Sequence, residues 1–262
     1  MTRTALVSDV HGNATALRAV LDELDRDGIE HVVCLGDLLY GGPQPVECLE
    51  LVLDRRWPVV LGNADAFVLD PATAEGSLEP VTPQQLDVRA WAHERLSREQ
   101  LHVVASWPCS IEVDLGHGRR LLAFHATPGS YHPLLLPAMA ESEFRAALGR
   151  VDADVCAGGH THLQFVRRVG GSTFVNPGSV GFGYDHEQDE EGFTLDGWAS
   201  YAVLTTSSSG LRVELRRVAF DPSTVASALR SVGYPHAEAR AAMWDRAGTG
   251  PRRDGGSRRQ SG

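Results

Sequence analysis

Lysine is missing altogether: the sequence carries 24 basic residues and every one is arginine. That absence excludes a P-loop lysine, a Schiff base and a lysine general base. Basic charge is also scarce beside 34 acidic residues, leaving a formal net charge of −10. A general nucleic-acid or anionic-membrane surface is therefore not expected, because binding phosphate polymers takes clustered cations. Recognition of phosphate has to be local, through arginine or metal. Cysteine occurs only at Cys34, Cys48, Cys109 and Cys156, and three of these lie in or beside apolar runs. Buried reduced thiols are expected there, not a disulfide framework or a Cys-ligated zinc. No apolar run approaches the roughly 18 residues of a membrane span, and "RTALVSDV" enters a strand-like run without a leader, so a cytoplasmic protein is expected.

What is there is a series of short apolar runs, each closing in a polar, glycine-rich turn: "TALVSDVHGN", "HVVCLGD", "PVVLGN", "RLLAFHATPG", "ADVCAGGHTH" and "TFVNPGS". They read as strands buried on both faces, with site-like loops at their C-terminal ends. Asn13 is placed to cap a helix with Leu17, Val20, Leu21 and Leu24 on its apolar face and Gly28 at its exit; Pro45 to Leu53 is a second, shorter helix. Strand alternating with helix indicates an α/β opening half with parallel strands. From Asp70 to Ser106 the pattern becomes a polar loop and then an amphipathic helix, Gln84 to Arg98, carrying Leu86, Ala90, Trp91 and Leu96. Strands follow near Ile111 to Val113 and Leu121 to Phe124, then a helix near Glu141 to Leu148. Two hairpins come after it, pairing Phe165 to Val169 with Thr173 to Val175, and Ala202 to Thr205 with Leu211 to Arg217. The acidic run Asp185 to Gly192 reads as a solvated loop, and Gly248 to Gly262, without apolar periodicity, as a disordered tail.

Chemistry concentrates at the strand ends. Residues two apart in extended chain point to one side, so Asp9 and His11 in "SDVHGN" can present a carboxylate and an imidazole together, as can the two imidazoles of His160 and His162 in "GGHTH". Asp37 in "LGDLLYGG", Asn63 in "LGNAD" and His125 in "FHATPG" sit at the ends of other runs. Singly, each is ordinary: Asp and Asn cap helices and close turns, and histidines fill satisfied surface or core positions, as His31, His93, His102, His117 and His236 are read. Together they place seven oxygen or nitrogen ligands on one rim, where open α/β sheets form ligand crevices, and that combination indicates a metal site.

In the order "DVHGN", "GDLLYGG", "GNAD", "HATPG", "GGHTH" and "NPGSVG", the sequence resembles the calcineurin-like metallophosphoesterases, in particular their compact bacterial and archaeal phosphodiesterase-like branch, over roughly residues 1 to 220. The resemblance implies an αββα sandwich of two mixed sheets flanked by helices, and a binuclear metal centre. Length and pattern along the chain give one domain over residues 1–235, with a helical insertion near 70–106, and a C-terminal helix and tail over 236–262. Asp9, His11 and His162 resemble the ligands of one metal, Asn63, His125 and His160 those of the other, and Asp37 the bridging carboxylate; Asp37, Asn63 and His125 are also counted as catalytic. Two carboxylates among neutral donors leave about +2 of charge on two divalent ions, enough to attract a phosphate to an acidic protein. Such a pair, about 3.5–4 Å apart, generates hydroxide for attack on phosphorus. Donors without thiolate favour manganese first, with iron, zinc, cobalt or nickel as alternatives.

The implied substrate is a small phosphate ester or nucleotide, and a homodimer is left open. The expected activity is hydrolysis of phosphodiester or nucleotide and anhydride-type bonds, with a phosphomonoesterase and a non-catalytic scaffold or sensor as the alternatives. One departure qualifies it. Where many members read Gly-Asn-His-Asp, with the histidine protonating the leaving oxygen, this sequence has Ala64. A general acid contributes typically 10²–10⁴-fold, so good leaving groups should be favoured. His132, Tyr184 and His186 are the stand-in acids, Asn176 and Ser179 could support the ligands, and Arg89 and Arg167 are the candidate substrate anchors. Asp65, without its histidine, reads as a cap for the helix after it.

Overall fold

In the computed structural model, which describes residues 1–74, 80–188 and 193–247, the first apolar run forms β1 (Thr2–Val7), and its side chains divide between two cores. Leu6 joins Val33, Leu121, Val175 and Leu204 in the layer between two sheets, while Ala5 and Val7 pack with the helices outside. Burial of both faces is why the run shows no polar alternation. β1 pairs in parallel with β2 (His31–Cys34) and antiparallel with β8 (Trp198–Ser207), which continues antiparallel to β9 (Gly210–Ala219). The second sheet has the order β3-β4-β5-β7-β6, formed by β3 (Ser110–Asp114), β4 (Arg120–Phe124), β5 (Val155–Ala157), β6 (Gln164–Val169) and β7 (Ser172–Pro177). Its three central strands are parallel and its two edges antiparallel.

Helices cover both outer faces. α1 (Ala14–Arg26) and α2 (Pro45–Asp54) lie on the first sheet, and α6 (Glu141–Leu148) lies on the second, where Phe144 packs with Phe124 and Phe174. The architecture is the α/β sandwich of two mixed sheets flanked by helices. Asn13 caps α1 through a bond from Ala16 N–H of 3.0 Å, and Leu17, Val20, Leu21 and Leu24 are buried as their spacing requires.

Two local expectations change. The run Pro58 to Leu61 is not a full strand: Val59 forms a single parallel bridge to Cys34, because Pro58 has no N–H and the Leu61 N–H turns away to Pro108. The helix expected over Gln84 to Arg98 forms as α4 (Pro83–Arg95), ending at Leu96, and a further helix not expected from the sequence, α5 (Arg98–Ala105), follows it. The break between them follows from Ser97, whose hydroxyl accepts the Gln100 N–H at 3.1 Å while the Gln100 side chain accepts the Ser97 N–H at 2.9 Å. On α4 the buried face is Val88, Trp91 and Ala92, and Leu86 faces outward.

Short α3 (Asn63–Leu69) follows the "GNAD" turn, and α7 (Pro222–Ser231) and α8 (Ala237–Asp245) close the described chain. Tyr234, between them, stacks edge-on against Trp91 at 4.9 Å, which ties this helical pair to α4. The expected tail from Gly248, and positions 189–192 of the acidic run, lie outside the described residues. Among the described residues no helix is long and apolar enough to cross a membrane.

Candidate metal centre

Five of the seven candidate ligands have left-handed backbone: Asp9 (φ 56°), His11 (50°), Asp37 (55°), His160 (68°) and His162 (58°). This corrects the extended-chain argument, since Asp9 and His11 converge through two left-handed residues and not through strand alternation. Side chains other than glycine pay about 1–2 kcal/mol in this region, with Asp, Asn and His the best tolerated. The strain is concentrated where side chains of one kind have to meet.

The atoms that meet are acceptors. Asp9, His11 and His162 form one group and Asp37, His125 and His160 another, the ligand atoms of each within 4.8 Å of one another. Every imidazole spends one nitrogen on a backbone carbonyl: His11 Nδ1 on Tyr40 at 2.7 Å, His125 Nδ1 on Leu35 at 2.7 Å, His162 Nδ1 on Phe182 at 2.7 Å and His160 Nε2 on His132 at 3.0 Å. Those bonds fix the tautomers, so in each neutral ring the other nitrogen carries a lone pair toward the group. His11 Nε2 then faces His162 Nε2 at 3.1 Å, and His125 Nε2 faces Asn63 Oδ1 at 2.9 Å. Asp9 Oδ1 is buried without a hydrogen bond, 3.3 Å from His162 Nε2 and 3.8 Å from His11 Nε2. Acceptors aimed at acceptors require a cation between them, either protons or metal, and this donor set fits divalent metal.

The electrostatics of these groups carries the same demand. Burial opposes charge on His125, yet the Asp37 carboxylate lifts its pKa to about 9. His162 is likewise raised, against burial, by Asp9. His160 drops to about 4 through burial and the neighbouring His125, and burial lowers His11. Asp37 resists burial and stays well below the usual carboxylate range because of His125 and the other imidazoles. One imidazole of each group therefore favours a proton where a metal would serve.

Asp37 lies between the groups. Its Oδ2 is 3.4 Å from His125 Nε2 and 3.8 Å from His11 Nε2, while its Oδ1 accepts the Ala64 N–H at 2.8 Å. Asp65 does more than cap a helix: its Oδ1 accepts the N–H groups of Leu38 and Leu39 at 2.9 and 3.0 Å, whereas its contact to Gly62 N–H is 3.4 Å. The loop bearing Asp37 and the turn bearing Asn63 are thus tied in both directions. Gly62 makes the approach feasible, since a Cβ there would overlap Asp37 Oδ1.

Asn176 and Ser179 hold the neighbouring loops. Asn176 Nδ2 donates to Gly159 O at 2.8 Å and Thr161 Oγ1 at 3.0 Å, and Ser179 Oγ donates to Asp9 O at 2.8 Å. The candidate anchors are otherwise engaged. Arg89 donates to Phe67 O and Leu69 O at the end of α3, and Arg167 donates to Met139 O at 2.7 Å and stacks on Phe144. His93 and His236 bond Val68 O and Asp87.

Ala64 opens onto a cleft of about 300 Å³ that shares Asn63 and His160 with the second group and is walled by Tyr40, Phe67, Val81 and Leu134. Of the stand-in acids, His132 lines this cleft, whereas Tyr184 packs against His162, 5.7 Å between ring centroids, and His186 against Tyr184.

A sandwich of two mixed sheets whose strand ends gather carboxylate and imidazole acceptors in two adjoining groups is the architecture of a metallophosphoesterase. The model of the calcineurin-like phosphoesterase superfamily domain matches residues 2–208, and the chain belongs to that superfamily. It is a hydrolase of phosphate esters. An uncharacterized protein of Methanocaldococcus jannaschii is 29% identical over 236 residues, covering 83% of this chain and 87% of that protein. Phosphodiesterase YfcE of Escherichia coli K12 is 27% identical over 182 residues, covering 69% of this chain and 80% of the enzyme. Among solved structures, a metallophosphoesterase from Sphaerobacter thermophilus aligns with a TM-score of 0.70 at 26% identity, covering 93% of this chain and 99% of that one.

Proposed function

We propose that the protein is a binuclear-metal phosphodiesterase acting on small phosphate diesters, or on nucleotide and anhydride-type bonds, with good leaving groups. The observation that carries the leaving-group part is Ala64, a side chain without a proton to give, lining a cleft of mixed polar and apolar walls beside Asn63 and His160. Asp9, His11 and His162 would hold one ion, Asn63, His125 and His160 the other, and Asp37 Oδ2 would serve both. Two divalent ions held there, manganese first among the transition metals, would supply the Lewis acidity for hydrolysis at phosphorus near neutral pH.

The chain's own residues do the positioning. The carbonyls of Tyr40, Leu35, His132 and Phe182 aim the four imidazoles, and the Ala64 N–H holds the outer oxygen of Asp37 so that the inner one faces both groups. Tyr40, Phe67, Val81 and Leu134 offer a leaving group apolar walls suited to an aryl or base ring. Similarity to YfcE, named as a phosphodiesterase, supports the diester assignment. The test is a panel of aryl diesters, alkyl monoesters and dinucleotide polyphosphates with manganese-loaded protein, beside His125→Ala and His160→Ala. Aryl diesters or polyphosphates should turn over fastest and both variants should lose that activity. Preference for alkyl monoesters, or full activity in the variants at matched metal loading, would contradict the reading.

A further inference from the structure

Among the arginines of the C-terminal helical pair, Arg240 stands apart. Arg230 is paired with Glu238 and Asp245, while Arg240, half-buried on α8, meets no carboxylate among the described residues. Its guanidinium lies over the Phe182 ring, 4.8 Å from the centroid, and Nη1 reaches Met243 Sδ at 3.8 Å. Phe182 in turn packs against the two imidazoles of the first group, with centroids 5.5 Å from His11 and 5.9 Å from His162. α8 lies beyond residues 2–208 matched by the family model, so this cation reaches the site from outside the common domain.

Gly41 separates Arg240 from His11. A Cβ at Gly41 would be 3.7 Å from Arg240 Nη2 and 3.7 Å from His11 Nδ1, so guanidinium and imidazole approach each other across this glycine. The Tyr234 hydroxyl, between α7 and α8, donates to Gly41 O at 2.7 Å and fixes that loop against the helical pair. His11 presents Nε2 to the first group and Nδ1 to the Tyr40 carbonyl. Arg240 therefore stands across the ring from the ligating atom. The guanidinium thus neighbours a ligand of the first group without being aimed into that group.

A guanidinium is a planar fork that matches phosphate oxygens in pairs, and in a chain of net charge −10 without lysine a carboxylate-free arginine at the site is a specific provision. Resting on the phosphoesterase reading above, we propose that Arg240 binds a second phosphate group of the substrate, so that the enzyme favours nucleotides or esters carrying two phosphates over those carrying one.

Calorimetry on metal-loaded protein tests this with three probes: thymidine 5′-phosphate, thymidine 5′-diphosphate and thymidine 3′,5′-bisphosphate, the last two offering two phosphate spacings. Wild type should bind at least one doubly phosphorylated probe about tenfold or more tighter than the monophosphate, the range of a charge-assisted hydrogen bond. Arg240→Met, which keeps a chain over Phe182 without the charge, should erase most of that preference while the monophosphate affinity falls far less, with metal content and melting temperature near wild type. Arg240→Lys should keep part of the preference. A wild type with no such preference, an Arg240→Met protein that retains it, or equal loss for all three probes would overturn the proposal. Should wild type bind none of the three, the nucleotide part of the proposed function falls with it; failure confined to the doubly phosphorylated probes concerns Arg240 alone.

Discussion

The backbone N–H of Ala64 holds Asp37 Oδ1 at 2.8 Å, and the side chain of residue 64 has no part in that bond. The turn therefore keeps Asp37 in place whatever residue 64 carries, and this explains how alanine can stand where the family resemblance implies histidine without loss of the surrounding geometry. Asp65 completes the tie from the other side through Leu38 and Leu39.

Asp65→Ala and Asp65→Asn should separate. Alanine leaves two buried N–H groups without an acceptor, at about 1–3 kcal/mol each, so a loss of about 2–6 kcal/mol is expected in urea unfolding of metal-free protein. Asparagine keeps an acceptor oxygen and removes a negative charge beside Asp37, and should cost below about 1 kcal/mol. Equal losses would mean that the accepted N–H groups are not what makes Asp65 matter.

Stability of the metal-free protein should depend on His125. Its folded pKa, about 9, lies above the ordinary value of 6.5, so the folded state holds a proton that the unfolded chain releases earlier. The contribution is complete below pH 6.5 and disappears as pH rises to about 9. Metal binding near pH 7 should displace that proton, and the raised His162 adds a second source. Calorimetric titration in buffers of different ionisation enthalpy should register net proton release; binding without it would show that neither imidazole was protonated.

Gly62→Ala is expected to push its new Cβ into Asp37 Oδ1. Overpacking of this kind costs about 1–3 kcal/mol, and here it should fall on the ligand loop, lowering metal affinity by about tenfold or more. Retention of wild-type affinity in a metal titration would show that the loop gives way freely.

Across a series of aryl and alkyl phosphate diesters, wild-type rates should fall steeply as leaving-group pKa rises, because Ala64 supplies no proton. Ala64→His should flatten the slope, with gains toward the 10²–10⁴ range for alkyl esters and little change for p-nitrophenyl esters. A shallow wild-type slope with chemistry rate-limiting would point to another acid, and His132, which lines the cleft, is the first to substitute.

Much of the sandwich was legible because its central strands are buried on both faces and so read as apolar runs, and because Asn13, Gly28 and the hairpin spacings are local signals. The candidate ligands were legible as a set of acids, imidazoles and an amide after successive runs. How they converge was not: the left-handed backbone of Asp9 and His11 depends on bonds to residues far along the chain, such as His11 N–H to Asp37 O. The bonds from Leu38 and Leu39 to Asp65, the carbonyls that aim the imidazoles, and the approach of Arg240 are also long-range contacts with no pattern in one sequence. The second helix, α5, was readable in principle, since Ser-Arg-Glu-Gln from Ser97 is a capping-box signature at the end of the expected helix.

The most direct test of the central claim is the metal content of protein stripped with chelator, reloaded with manganese and freed of excess metal, measured for wild type and Asp37→Asn. Two ions per wild-type chain, with at least one lost or greatly weakened in Asp37→Asn, is the predicted result. Saturation at one ion or fewer in wild type, or two tightly held ions in Asp37→Asn, would contradict a pair of metals sharing Asp37.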